Sequence, residues 1–155
     1  MNIKTSWDFS SFYTSDNDTK IESDKIELTQ ATEKFASKWE NRTDWLSDPK
    51  ILKQILDEYE KYCSEYNTYG KPGIYIHLRT QQDSTDPNLK AIENQINELN
   101  QKLSNQIQFL GLRLAKVSPE IQQIFLNDPE LKDYKQFLEK LFSQAKYTLS
   151  EAEEK

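Results

Sequence analysis

The dipeptides Asp48-Pro49, Asp86-Pro87, Ser118-Pro119 and Asp128-Pro129 constrain this chain more than any other feature. In each, a side chain that can accept a backbone N–H stands immediately before a proline. Proline is best tolerated at the first helical position, where its fixed φ suits the helix and its missing N–H removes no bond. Most of the 5 prolines therefore read as helix starts. Only 3 glycines in 155 residues leave few places for tight hairpins. The expected fold class is all-α, a helical bundle or array of about five to six helices, each covering its neighbour's apolar stripe.

Apolar periodicity places the helices. "SDNDTKIE" offers Asp16 and Asp18 as N-caps, and Ile21, Leu28, Ala31, Phe35 and Trp39 then share one face, which predicts a helix over 18–40. Behind Asp48, the apolar residues from Ile51 to Tyr66 recur at threes and fours, and Gly70 is a natural stop, so a second helix is expected over 48–69. "GIYIHLRTQQ" alternates like a strand, but a lone strand has no partner, and its helical surroundings favour a helix. Leu89, Ile92, Ile96, Leu99, Leu103, Ile107, Leu110 and Leu114 predict one long helix near 87–116, which at 1.5 Å per residue would span roughly 45 Å. Helices over 119–127 and 129–146 follow. One domain, 1–155, is the default for this length.

The chain closes on "YTLSEAEEK". Ser150 and Glu153 form a capping-box pair, which opens a helix. A single isolated turn cannot offset the cost of nucleation, so the backbone is expected to fray after about Leu149. The expectation is a truncated fragment whose last helix belongs to a following region.

Charge and composition exclude several roles. A net charge of −6 with pI near 4.9 argues against nucleic acid, which needs a surplus of Lys and Arg on one face. No apolar run approaches the roughly 20 residues of a membrane span, and "MNIKTSWDFSSFYTSDNDTK" lacks the apolar stretch of a signal peptide. The lone Cys63 cannot form an internal disulfide, in keeping with a reducing compartment. A cytoplasmic location is expected.

A search for chemistry finds no catalytic, cofactor-binding or metal-binding residues. Catalytic zinc takes three protein ligands, typically with His among them. Here His77 and Cys63 stand alone and H-E-x-x-H is absent. His77 reads as a packed or surface side chain, and Cys63, on the apolar face of the second helix, as a buried small hydrophobe. There is no G-x-S-x-G elbow, and the scattered Gly70, Gly73 and Gly111 form no phosphate cradle. "DNDTKIES" lacks the central glycine of a calcium loop and is better read as a cap. Asp57 with Glu58, and Glu151 with Glu153, read as solvated helix faces.

Trp7, Phe9, Phe12 and Tyr13 crowd "SWDFSSFYTSD" ahead of the first helix. The favoured reading is an arm that docks its rings on the helices, because exposed aromatics are costly without a partner. A binding patch is the sharper alternative.

"WDFSSFY" resembles the W-D-L-S-x-L-Y segment that begins oligoendopeptidase F-type enzymes, relatives of thimet oligopeptidase. Further segments are similar in family order: "FASKWENR" with "LSDPKILKQILDEYEKY", then "LRTQQDSTDPNLKAIENQI", "NQIQFLGLRLAKVSPEIQQIFL", "DYKQFLEKLF" and "KYTLSEAEEK". The resemblance runs from Ser6 to Lys155 and rests on several loose segments. It implies the N-terminal helical domain of a zinc metalloendopeptidase that cuts short, unstructured peptides. Such a domain forms one wall of an enclosed channel. The zinc, its H-E-x-x-H ligands and the catalytic domain would lie C-terminal to this stretch, so the fragment alone holds no zinc and is inactive. Its implied partners are its own catalytic domain and short peptide substrates, with self-association through the exposed domain interface as a further expectation. A different class of function, a stand-alone interaction module pairing through the long helix near 87–116, also fits the spacing.

Overall fold

The structure, a computed structural model, describes residues 7–66 and 70–153, with side chains through residue 145. All regular elements among them are helical. They are α1 (Thr19–Trp39), a 3-10 helix (Asp44–Leu46), α2 (Pro49–Tyr66), α3 (Gly70–Gln82), α4 (Pro87–Ile107), α5 (Phe109–Leu114), α6 (Pro119–Asn127), a second 3-10 helix (Pro129–Tyr134) and α7 (Lys135–Glu153). No helix among the described residues is long and apolar enough to cross a membrane.

The Asp-Pro and Ser-Pro starts are real. Asp48 accepts from the Lys50 N–H at 2.8 Å, Asp86 from Asn88 at 2.8 Å and Asp128 from Glu130 at 2.8 Å, while Ser118 Oγ accepts from Ile121 at 3.4 Å. Each cap satisfies a first-turn donor that the helix leaves orphaned. At α1 the cap is Asp18, whose Oδ1 takes the Lys20 N–H at 3.0 Å and whose Oδ2 takes the Thr14 N–H at 2.9 Å. These backbone donors pull its carboxyl down to about 2. The ambiguous "GIYIHLRTQQ" is the body of α3, as expected of a helix.

Three expectations are corrected. The long helix near 87–116 is two helices, with Gln108 between α4 and α5. The chain leaves one packing unit at Gln106 and joins another at Ile107, and Gly111 weakens helix propensity just beyond the break. The segment 129–146 begins with a 3-10 helix, and α7 starts only at Lys135. Finally, Ser150 opens no new helix. The helical backbone of α7 runs through Leu149 and Ser150 to Glu153, so those residues extend a nucleus already formed. Residues 154 and 155 lie outside the described residues.

Two compact units emerge. One comprises Met1–Lys34 and Tyr62–Gln106, the other Phe35–Lys61 and Ile107–Lys155. The second has one continuous apolar core that includes Trp39, Trp45, Leu52, Ile55, Phe125 and Leu138. Complete burial of each such aliphatic or aromatic side chain contributes about 1.5–3 kcal/mol. Its tryptophans are also satisfied as donors: Trp45 Nε1 donates to the Arg42 carbonyl at 2.9 Å, and Trp39 Nε1 to Glu58 Oε2 at 2.9 Å. The first unit has smaller clusters, Tyr13, Ile21 and Tyr75 in one and Ile76, Leu89 and Ile96 in the other.

Candidate functional site

The first unit concentrates its polar chemistry where the N-terminal arm meets α3. The arm turns tightly: the Phe12 N–H donates to the Phe9 carbonyl at 2.9 Å, and the Ser10 N–H donates to Asp8 Oδ1 at 3.0 Å. That turn aims Tyr13 inward, where it is buried edge-on against Tyr75 with ring centroids 4.9 Å apart. Phe9 and Phe12, half-buried, pack on the same cluster. These three rings dock as expected. Trp7 does not, remaining 80% exposed.

Asp16 ties the arm to α3. Arg79 meets it in a fork, Nε to Oδ1 at 2.8 Å and Nη2 to Oδ2 at 2.9 Å, and the Tyr75 hydroxyl donates to Oδ1 at 2.7 Å. Bidentate, charge-assisted pairs of this kind are about twice as strong as neutral hydrogen bonds. Arg79 holds the Asp16 carboxyl below its ordinary range, an effect that outweighs partial burial, and Tyr75 adds to it. Burial, and then the Asp16 carboxylate, push the Tyr75 phenol up to about 12. Arg79 also donates through Nη1 to Gln82 Oε1, and Gln82 Nε2 donates to the Trp7 carbonyl at 3.0 Å. A relay of side chains thus runs from Asp16 through Arg79 and Gln82 to the backbone of Trp7. Tyr13 adds a second clamp, donating to Asp24 Oδ2 at 2.6 Å, while the Lys71 ammonium lies 4.5 Å above its ring.

Two depressions flank this relay. One, of about 310 Å³, is of mixed polarity, is lined by Asp16, Arg79 and the arm, and shares Trp7, Asp8, Phe9 and Gln82 with the second. The other, of about 430 Å³, is lined mainly by Trp7, Phe9, Phe12 and Leu78. The sequence treats Asp16 only as a cap candidate, and the relay escapes it. The available signal is that "WDFSSFY" and "LRTQQ", both segments of family resemblance, are the two stretches the fold joins here.

The other singled-out residues lie elsewhere. His77 is exposed, with Nδ1 3.3 Å from Glu93 Oε1. Cys63 is also exposed, which corrects its expected burial. Beyond Lys61 the packed face of α2 turns to Tyr62, 2.9 Å from Thr32 Oγ1, and to Tyr66, which donates to Glu27 at 3.1 Å. Asp57 and Glu58 are not merely solvated. Asp57 binds Lys53 Nζ at 2.8 Å and accepts from the Tyr134 hydroxyl at 2.7 Å, while Glu58 binds Trp39 and Lys38. The side chains of Glu151 and Glu153 lie outside the described residues. Among the described residues no three His, Cys, Asp or Glu side chains converge as a metal would require.

A family model, the Peptidase M3 N-terminal model described as Oligopeptidase F, matches residues 114–155. The chain is 27% identical over 155 residues to an oligoendopeptidase F homolog of Borreliella burgdorferi, covering 100% of this chain and 25% of that protein. It is 24% identical over 153 residues to the plasmid oligoendopeptidase F of Lactococcus lactis subsp. cremoris, covering 98% of this chain and 24% of that one. A homolog from Lactococcus lactis subsp. lactis matches to the same extent. No solved structure matches significantly. The chain spans about a quarter of the length of the curated relatives it matches. Over its whole length the chain is similar to oligoendopeptidase F-like proteins, and the family model that matches its last part is that of their N-terminal domain.

Proposed function

We propose that this chain is the substrate-channel-forming domain of a zinc-dependent metalloendopeptidase that hydrolyses short, unstructured peptides. One observation carries the reading: similarity extends along 100% of the chain to a relative named as an oligoendopeptidase F homolog, yet accounts for only 25% of that relative. The metal and the bond-breaking residues would belong to the remainder. The role left to this domain is to bind and confine peptide away from the reacting bond, which raises specificity without adding chemistry.

The alternative, a module pairing through the long helix, has less support. Leu89, Ile96 and Leu103 of α4 are all buried within the chain, so that stripe is already covered.

The test is to express the complete natural reading frame that carries these residues, beside the 155-residue chain alone. The complete protein should cleave quenched fluorogenic peptides, spare folded proteins and lose activity to a chelator, while the chain alone should be silent. Turnover by the chain alone, or chelator-insensitive cleavage by the complete protein, would overturn the proposal.

A further inference from the structure

The unit that joins Phe35–Lys61 to Ile107–Lys155 has, besides its core, an apolar hollow of about 380 Å³ where α5 packs on α7. Leu112 and Ala115 line it from one helix and Leu141 and Ala145 from the other, each pair spaced to share a face. Leu112 is 55% exposed, and Phe137, one turn before Leu141, is 41% exposed. Gly111 also lines the hollow, and a Cβ on it would meet nothing within 4 Å, so the described residues leave the space over α5 open. Single surface leucines need no explanation, but apolar side chains gathered over a hollow mark an interaction surface.

Length and charge identify what covers it. The relatives from Borreliella burgdorferi and Lactococcus lactis are about four times as long as this chain, so in a protein of that length most of the polypeptide packs outside the region described. The matched stretch 114–155 includes Ala115, Lys116 and the α7 wall, so much of the hollow lies in the part shared with the family model. A segment of the same polypeptide also reaches the hollow at an effective concentration that a separate partner lacks. Lys116 is the one charged residue lining the hollow among the described residues. It is exposed, and no described carboxylate pairs with it. A second copy fits poorly, because a two-fold contact brings the same patch from both subunits together, Lys116 included, and each chain carries a net charge of −6.

We propose that the α5–α7 hollow is the docking surface for an amphipathic helix from the remainder of the longer protein, its apolar face on Leu112 and Leu141 and an acidic residue against Lys116. A helix suits the hollow better than a strand, because two packed helices offer grooves for a third and no sheet edge to extend. The proposal rests on the reading that this chain is one domain of a longer protein, but not on that protein's activity.

The test is hydroxyl-radical footprinting of the complete natural reading frame beside the 155-residue chain. Leu112 should be oxidised readily in the chain alone and several-fold more slowly in the complete protein. In the complete protein Lys116→Glu should lower the urea concentration at which Leu112 oxidation recovers, and raised salt should do the same to the wild type. In the chain alone Lys116→Glu should leave Leu112 oxidation unchanged. Equal oxidation of Leu112 in the two proteins would overturn the proposal. So would protection indifferent to Lys116→Glu, which would deny the acidic partner. Protection in the chain alone that grows with its concentration would make the occupant a second copy and overturn it as well. Footprinting needs no turnover, so the two readings fail separately. A complete protein that shields Leu112 and cleaves nothing would remove the peptidase reading alone, and a chelator-sensitive peptidase with Leu112 open would remove only the docking surface.

Discussion

The two units are held together by different physics. In the unit built from Phe35–Lys61 and Ile107–Lys155, aromatic and aliphatic side chains merge into one core, with Phe35 stacked on Phe109 at 6.2 Å and Trp45 edge-on to the same ring at 6.3 Å. In the unit built from Met1–Lys34 and Tyr62–Gln106, apolar clusters are small, and the arm is fastened by an ion pair and by phenols donating to carboxylates. Apolar burial is indifferent to pH and tolerant of salt, whereas a half-exposed ionic network is neither. The difference teaches that the unit carrying the candidate site leans more heavily on contacts that solution conditions tune, whereas the Lys53–Asp57–Tyr134 contacts of the other unit are added to a continuous apolar core. Local opening is drawn from regions with few buried apolar contacts, so arm and α3 should open before the larger core.

The largest expected effect tests the core. Trp45→Ala removes a side chain at 0% exposure along with its hydrogen bond to the Arg42 carbonyl. It should cost about 3–5 kcal/mol in urea unfolding, with loss of protection concentrated in α2, α5 and α7. A loss confined to the arm and α3 would break the comparison.

Asp16→Asn should cost about 2 kcal/mol, the range of a hydrogen-bonded charged group. Its pH signature is the sharper readout. Arg79 holds the Asp16 carboxyl below its unfolded value, so its stabilisation is complete above about pH 4 and fades as pH falls through the lower folded value. The wild-type chain should therefore lose hydrogen-exchange protection in α3 as pH drops below about 4, and the variant should lack that increment. Iodide quenching of Trp7 should change in the variant too, because the relay to Gln82 starts at Asp16. An unchanged acid profile would mean that the ion pair contributes nothing.

Much of this architecture was readable from the sequence because helix starts are local chemistry. Asp48, Asp86, Ser118 and Asp128 act on residues two or three positions away, and a reader of the sequence sees both partners. The relay was not readable, because Asp16 and Arg79 are 63 residues apart and nothing in either neighbourhood names the other. Cys63 misled for a related reason. Helical periodicity identifies a stripe, but which part of it is covered depends on the neighbour, and α2 changes neighbours near Lys61. The split after α4 was hidden by Leu103 and Leu110, which continue the same sevenfold spacing across the division between units. Docking of Phe9, Phe12 and Tyr13 followed from the cost of exposing rings; the exception is Trp7, which the fold leaves exposed.

The smallest effects come from one glycine in each unit. Gly70 sits at φ +62°, and a Cβ there would come within 3.0 Å of the Leu28 side chain. Gly70→Ala should therefore cost about 1–2 kcal/mol, the penalty of left-handed backbone for a residue with a Cβ. Gly111 lies inside α5, and a Cβ there would meet nothing within 4 Å. Neither backbone conformation nor packing within the chain requires a glycine at that position, and its helix propensity is about 1 kcal/mol below alanine's. Gly111→Ala should raise stability by up to about 1 kcal/mol, read as a higher urea midpoint with an unchanged slope. A loss would mean that the open space over α5 is filled in solution, and that this unit is completed by something other than its own core.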